Sequence, residues 1–175
     1  MSLEKAVNDV ASLMLISAKT APKTRGKDDV LFKIASEKEK EEIAKKMREL
    51  AEERGKNWER DANSIDAAQS LIILGVRGRK PVGLDCGACG MTCEELKKTL
   101  FEDARDFKGP FCAFKILDLG IALGSAVKTA QIHNVDNRII YKVGAAAKQL
   151  KILEEADIII GIPLAVASKS PFFDR

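Results

Sequence analysis

Four cysteines, Cys86, Cys89, Cys93 and Cys112, are all the cysteines this chain of 175 residues contains. Three fall in the run Asp85-Cys86-Gly87-Ala88-Cys89-Gly90-Met91-Thr92-Cys93, and the fourth follows Gly109-Pro110-Phe111. Thiolates are soft ligands that suit iron–sulfur clusters and zinc. Zinc ligands tend to come as two short-spaced pairs. Here three are local and one is remote, separated by eighteen residues, which favours a [4Fe-4S] cluster held by one loop and a distant thiolate. A structural zinc at the same four residues is the alternative, and buried structural thiols or a redox-active pair are the plainer readings. Gly87 and Gly90 let the backbone fold tightly around an inorganic core. Cys93 would open a helix capped by Thr92, where free amides and the positive helix end favour a negative cluster. Pro110 would stiffen the approach of Cys112.

Other chemistry is sparse. His133 is the single histidine, at a helix end where it serves best as a charge partner, so a Ser/His/Asp triad has no support. Asp85 beside Cys86 reads as a turn residue, with tuning of the cysteine site as the alternative. The basic turn Arg77-Gly78-Arg79-Lys80 stands next to the cysteine loop and could dock an acidic electron donor such as a ferredoxin by charge steering. A net charge of +3, without a basic stripe or a set of stacking aromatics, argues against nucleic acid. The longest apolar run, residues 158–167, is too short to span a membrane and includes Pro163. The opening Met1-Ser2-Leu3-Glu4-Lys5 has no export-signal pattern, which predicts a cytoplasmic chain.

The elements that must position these residues follow from periodicity and punctuation. Val7, Val10, Ala11, Met14, Leu15 and Ala18 share one helical face, and Pro22 ends that helix. Residues 30–35 read as a short strand. Ser36 with Glu39 is a capping box opening a charged helix with an apolar stripe of Ile43, Met47, Leu50 and Ala51, stopped by Gly55. Residues 58–68 suggest a short helix or loop. Residues 70–76 are a near-continuous apolar strand covered on both faces. Thr92 with Glu95 is a second capping box, predicting a helix with Leu96 and Leu100. Residues 118–132 form a small-residue helix whose mid-helix Gly120 and Gly124 each cost about 1 kcal/mol against alanine, which a close neighbour would offset. A helix over 145–153 and a strand over 156–163 complete the set. Three or four strands among five or six helices make an α/β sandwich in the broad sense, with no dinucleotide fingerprint and no P-loop.

Two flanks of the cysteine loop carry a resemblance. The segment Ser17-Ala18-Lys19-Thr20-Ala21-Pro22-Lys23-Thr24-Arg25-Gly26-Lys27, leading into the first strand, resembles the helix–loop–strand entry of nitroreductase-like flavoproteins. Asp118-Leu119-Gly120-Ile121-Ala122, then Asn134-Val135-Asp136-Asn137-Arg138, Ile139-Ile140-Tyr141-Lys142-Val143-Gly144 and the last strand resemble their central helix, flavin loop and closing strand. With the cysteine loop, the whole chain is similar to a family of archaeal and anaerobic bacterial proteins described as uncharacterised and containing a ferredoxin-type domain. The resemblance implies an α+β fold, a nitroreductase-like α/β sandwich with a small central sheet flanked by helices. It would be a single domain over residues 1–175 with the cluster loop inserted at about 84–112. It also implies a homodimer through the small-residue helix, with FMN at the interface beside the [4Fe-4S] cluster, and so an iron–sulfur flavoprotein oxidoreductase or electron-transfer protein. On that reading Pro22, Lys23, Thr24, Arg25, Gly26 and Lys27 contact the flavin, and Tyr141, Lys142 and Gly144 flank it. Lys169 or Arg175 pairs with its phosphate.

Overall fold

Ser70–Val76 (β2) is buried along its whole length. Its alternation sends Leu71 and Ile73 to one face of the sheet and Ile72, Leu74 and Val76 to the other. The computed structural model describes residues 2–100 and 102–173, and in it β2 is joined on one side by Val30–Ile34 (β1) and on the other by Ile158–Ala165 (β6). The short Asp136–Asn137 (β5) closes the order β1-β2-β6-β5, with every pairing antiparallel. A separate two-stranded ribbon pairs Glu102–Asp103 (β3) with Lys108–Gly109 (β4).

Helices cover both faces. Leu3–Thr20 (α1) and Ala113–Ile132 (α5) lie on one. There Val7, Ala11, Met14 and Ala18 meet Leu119, Ala122, Ala126 and Ala130 over Ile72, Leu74, Ile162 and Leu164. Glu37–Arg54 (α2), Lys56–Asp66 (α3) and Tyr141–Gln149 (α6) cover the other. Ile43, Met47, Trp58 and Ile65 pack there with Val143 and Ala146 over Leu71, Ile73 and Ile159. Burying each large apolar side chain in these two layers contributes about 1.5–3 kcal/mol. The three-layer sandwich carries a small antiparallel sheet, as the resemblance implied. No helix among the described residues is long and apolar enough to cross a membrane.

Both capping boxes form. Ser36 and Glu39 bond reciprocally at the start of α2, and Thr92 and Glu95 do the same at Cys93–Lys98 (α4). Three expectations are sharpened or corrected. Leu100 lies beyond α4 and is 87% exposed, because Thr99 turns extended and its hydroxyl caps the Glu95 carbonyl. Of residues 58–68, those up to 66 belong to the helix Lys56–Asp66, with Trp58, Ala62 and Ile65 on its buried face, and Ala67 and Ala68 lie beyond its end. The last helix begins at Tyr141, earlier than residue 145. The bridge between Ile140 and Gly161 ends the extended chain there, and positive φ at Lys151 and Leu153 stops the helix short of 153.

Candidate functional site

The cysteine loop springs from the end of β2. After the turn at residues 77–80, Val82 is buried. The loop's root is then pinned from α1's side of the molecule: Lys27 Nζ donates to the Val82 carbonyl at 2.9 Å and Arg25 Nη1 to that of Gly83 at 2.9 Å. Gly83, Asp85, Gly87 and Gly90 all take positive φ, so the loop reverses repeatedly. Cys93 opens α4, where its amide donates to Asp85 Oδ1 at 2.8 Å while the Asp85 amide donates to Cys93 Sγ at 3.3 Å. Asp85 therefore does more than turn the chain: it locks the loop's first residue to its last.

Cys112 immediately precedes α5, with its amide bonded to the Gly78 carbonyl at 2.8 Å. It is buried against Val82 and Leu96, and Cys89 and Met91 pack on the same cluster. Cys86 is exposed, Cys93 half-buried, and all four are free thiols. Folding therefore brings Cys89 and Cys112 onto one small cluster across the sequence gap. Among the described residues, no three His, Cys, Asp or Glu side chains converge on one metal-sized point. The donor set nonetheless fits a soft metal centre. Four thiols are unpaired, three share one loop, an amide is already directed at a sulfur, and the positions beside Gly87 and Gly90 are open.

Residues 22–27 sit beside this loop. Thr24 donates from both its amide and its hydroxyl to Asp118 Oδ1 at 2.8 Å, and Arg25 is held at φ 55°. Lys23 gives its ammonium to the Ala18 and Lys19 carbonyls at the end of α1, and burial lowers its pKa. All three cations of this segment thus bond to carbonyls of their own chain. Beneath them Lys115, wholly buried, reaches Asp29 Oδ2 and the Lys27 carbonyl, each at 2.8 Å, and stands 3.8 Å from Asp118. Lys80 adds a second contact to Asp29 at 3.0 Å. Asp118 Oδ2 is buried with no hydrogen-bond partner.

Burial is the largest influence on Asp29 and pushes its pKa up. The bonds and charges of Lys115 and Lys80 outweigh it and hold the carboxyl below the ordinary 3.8. A carboxylate with a depressed folded pKa stabilises the fold above its unfolded pKa, and that contribution is lost as pH falls through the folded value. Urea midpoints are therefore expected to be insensitive to Asp29 above about pH 5 and to fall below about pH 4. Asp29→Asn should make that acid limb shallower.

Tyr141, Lys142 and Gly144 lie in the opposite helical layer. Tyr141 is 47% exposed at the start of α6 and meets Trp58 edge-on at 6.1 Å. Lys142 is buried, and its ammonium bonds to Asp61 Oδ2 at 2.7 Å and the Asn57 carbonyl at 2.8 Å. Gly144 packs directly on the β6 backbone at Ile159. Lys169 is exposed in the C-terminal tail, and Arg175 lies outside the described residues. One chain does not bring residues 22–27 to residues 141–144, because the sheet separates them.

Next to Tyr141 the fold assembles residues that sequence reasoning missed as site residues. Arg60 and Arg138 line two adjoining clefts of about 310 and 320 Å³, one with Asn63, Pro171 and Phe173, the other with Asn57 and Tyr141. Arg60 and Lys142 both bond the buried Asp61, and Arg138 stands 3.7 Å from it and over the Phe173 ring. Three cations around one carboxylate leave positive charge facing the clefts. A signal existed: Trp58, Asp61, Ala62 and Ile65 share one helical face, so an acid sits on an apolar stripe and demands a cation.

A family model described as "Uncharacterized protein containing a ferredoxin domain" (DUF2148) matches residues 108–175. A protein of Archaeoglobus fulgidus, described as uncharacterized, is 44% identical over 172 residues, covering 98% of this chain and 92% of its own. Among solved structures, a nitroreductase family protein from Clostridium novyi superposes with a TM-score of 0.58 at 19% identity, covering 95% of this chain and 76% of its own. The FMN-dependent nitroreductase NfnB from Mycobacterium smegmatis, solved with NADPH, gives 0.58 at 13% identity, with 92% and 78% covered. Nitroreductase A from Vibrio parahaemolyticus gives 0.57 at 11% identity; 92% of this chain is covered, which spans 59% of that protein's length. At these identities the likeness is one of fold, and the fold is nitroreductase-like.

Proposed function

This chain belongs to the family of proteins containing a ferredoxin domain, and on that premise we propose that it is an iron–sulfur flavoprotein that transfers electrons. A ferredoxin-domain family and a nitroreductase-like fold both suggest redox chemistry. The observation that carries the reading is that three cysteines share one loop and that one of them, Cys89, packs on the same small cluster as the fourth, Cys112. In this reading Cys86, Cys89, Cys93 and Cys112 hold a [4Fe-4S] cluster, which supplies one-electron steps. The Asp85 amide directed at Cys93 Sγ stabilises a thiolate there. Arg60 and Arg138 receive the phosphate of FMN, whose chemistry joins one- and two-electron steps. Tyr141 and Phe173 offer ring faces to its apolar body.

The flavin half of the reading calls for a second copy of the chain, since one chain keeps residues 22–27 and 141–144 on opposite sides of its sheet. Leu117 and Ile121 of α5 and Leu13 and Ile16 of α1 are exposed apolar residues on one helical layer. A methyl group placed on Gly120 or Gly124 would meet nothing of its own chain within 4 Å beyond the adjoining helix backbone. Alanine at both would stabilise a lone chain by about 1 kcal/mol each through helix propensity. With another copy seated there the added methyls block close approach, so Gly120→Ala/Gly124→Ala is expected to shift the protein from dimer to monomer in analytical ultracentrifugation.

Anaerobic purification with metal, sulfide and flavin analysis tests the whole reading. The expected result is about four iron and four sulfide per chain, with a broad visible absorption that dithionite bleaches and a released fluorescent flavin. One zinc per chain with neither iron nor sulfide would overturn it in favour of a structural site.

A further inference from the structure

Around the root of the cysteine loop lies an open cleft of about 670 Å³. Its lining brings together cations from three separate segments: Lys27 before β1, Arg77, Arg79 and Lys80 after β2, and Lys97 in α4. Among the described residues, two carboxylates, Glu155 and Asp157, line it with them, and Asp29 and Glu94 pair with Lys80 and Lys97 from beside it. The concentration of positive charge is thus a product of folding and exceeds what the basic turn alone supplies.

The cations are positioned in two ways. Arg79 and Lys80 are anchored from below. Asp157, largely buried, accepts from the Arg79 amide at 3.0 Å and from its Nε at 2.5 Å, and buried Asp29 accepts from Lys80. Arg77 and Lys97 instead pair with Glu155 and Glu94 at the surface, where ion pairs are worth little and exchange readily. The floor runs through Pro81, Val82 and Gly83 directly into Leu84, 42% exposed, and the exposed Cys86.

Resting on the reading of the four cysteines as a cluster site, we propose that this cleft and its rim dock an acidic electron-donor protein. The donor loses one electron and the cluster gains one, with no bond made or broken. A caged phosphate needs cations converging on one point. Here each cation is tied to a carboxylate or carbonyl of its own chain, and the heads are spread across a broad rim, as suits a partner presenting many carboxylates. Such a surface steers encounter through its field and forms a small, short-lived contact that loosens with salt. Leu84, apolar and exposed between the cations and Cys86, would settle the contact near the cluster.

The test uses the full-length protein, purified anaerobically, with an acidic plant-type [2Fe-2S] ferredoxin as the probe. Binding is measured by titration calorimetry at low and high sodium chloride, and reduction by stopped-flow absorption. Arg77→Glu/Lys97→Glu reverses two cations in exposed pairs and leaves the buried Asp29 and Asp157 contacts intact. Lys38→Glu/Lys45→Glu makes the same charge change on the outer face of α2. The wild type and the α2 variant are expected to bind with an affinity that falls steeply with salt, and the cleft variant to bind about tenfold or more weakly at low salt. Calorimetry needs no electron to move. Salt-sensitive binding lost in the cleft variant, in a protein that contains only zinc, would sink the cluster reading and leave the docking surface standing. Equal affinity in all three proteins overturns the proposal, as does an equal loss in both variants. So does binding of NADPH or inorganic phosphate in the cleft without any binding of the ferredoxin.

Discussion

Replacing Cys112 with alanine is expected to cut bound iron from about four per chain to about three or fewer while leaving the protein folded. The reason lies in the position of the residue. Cys112 is buried in a small cluster with Val82 and Leu96, away from the two large cores, so loss of its sulfur creates only a small cavity costing about 1 kcal/mol. As the remote member of the proposed ligand set, it is the one the loop cannot replace locally. Iron and sulfide assays of the anaerobically purified variant, alongside its urea midpoint, separate the two effects. Unchanged iron with Cys112 gone would remove it from the ligand set. A large loss of stability with no iron in the wild type would make it a packing residue.

Gly144→Ala is expected to be the most damaging single-methyl change in the chain. A Cβ there would stand 1.5 Å from the Ile159 carbonyl oxygen and 2.2 Å from its carbon. The obstacle is backbone of a central strand, which cannot rotate aside as a side chain would. Gly161 makes the reciprocal fit, since a methyl on it would lie 2.2 Å from Val143 Cγ1. Separating α6 from β6 would open the whole second core, so the loss should exceed about 4 kcal/mol, against a total stability of order 5–15 kcal/mol for a domain. Chemical denaturation or soluble yield measures it. A stable Gly144→Ala protein with weakened flavin binding would instead assign the glycine to the cofactor, as the resemblance implied.

These two glycine sets show where sequence reading succeeds and where it stops. Gly120 and Gly124 drew notice as costly mid-helix residues, and the chain itself places nothing against them. Gly144, which the resemblance places beside the flavin, is also the glycine that lets a helix lie on a strand. Sequence spacing identifies a glycine but not its neighbour across the fold. The same limit applies to Arg60 and Arg138. Their place around Asp61 joins residues from α3 and the segment before α6, far apart in sequence.

Local chemistry was legible. Ser36 with Glu39 and Thr92 with Glu95 act within one turn, so their capping boxes formed where the pattern put them, and the unbroken apolar run at residues 70–76 became the fully buried β2. The cysteine spacing, the small-residue helix and the order of the flanks were enough to point to the family and the nitroreductase-like fold, because each depends on composition over short stretches. Tertiary structure alone decided that Cys112 and Cys89 join one cluster, that Asp85 ties the loop to itself, and that Lys115 is buried on Asp29. It also decided that Lys27 and Lys97 join the basic turn in one cleft. Those arrangements come from which faces of distant elements are buried together, a property of the whole packed chain that no window of sequence contains.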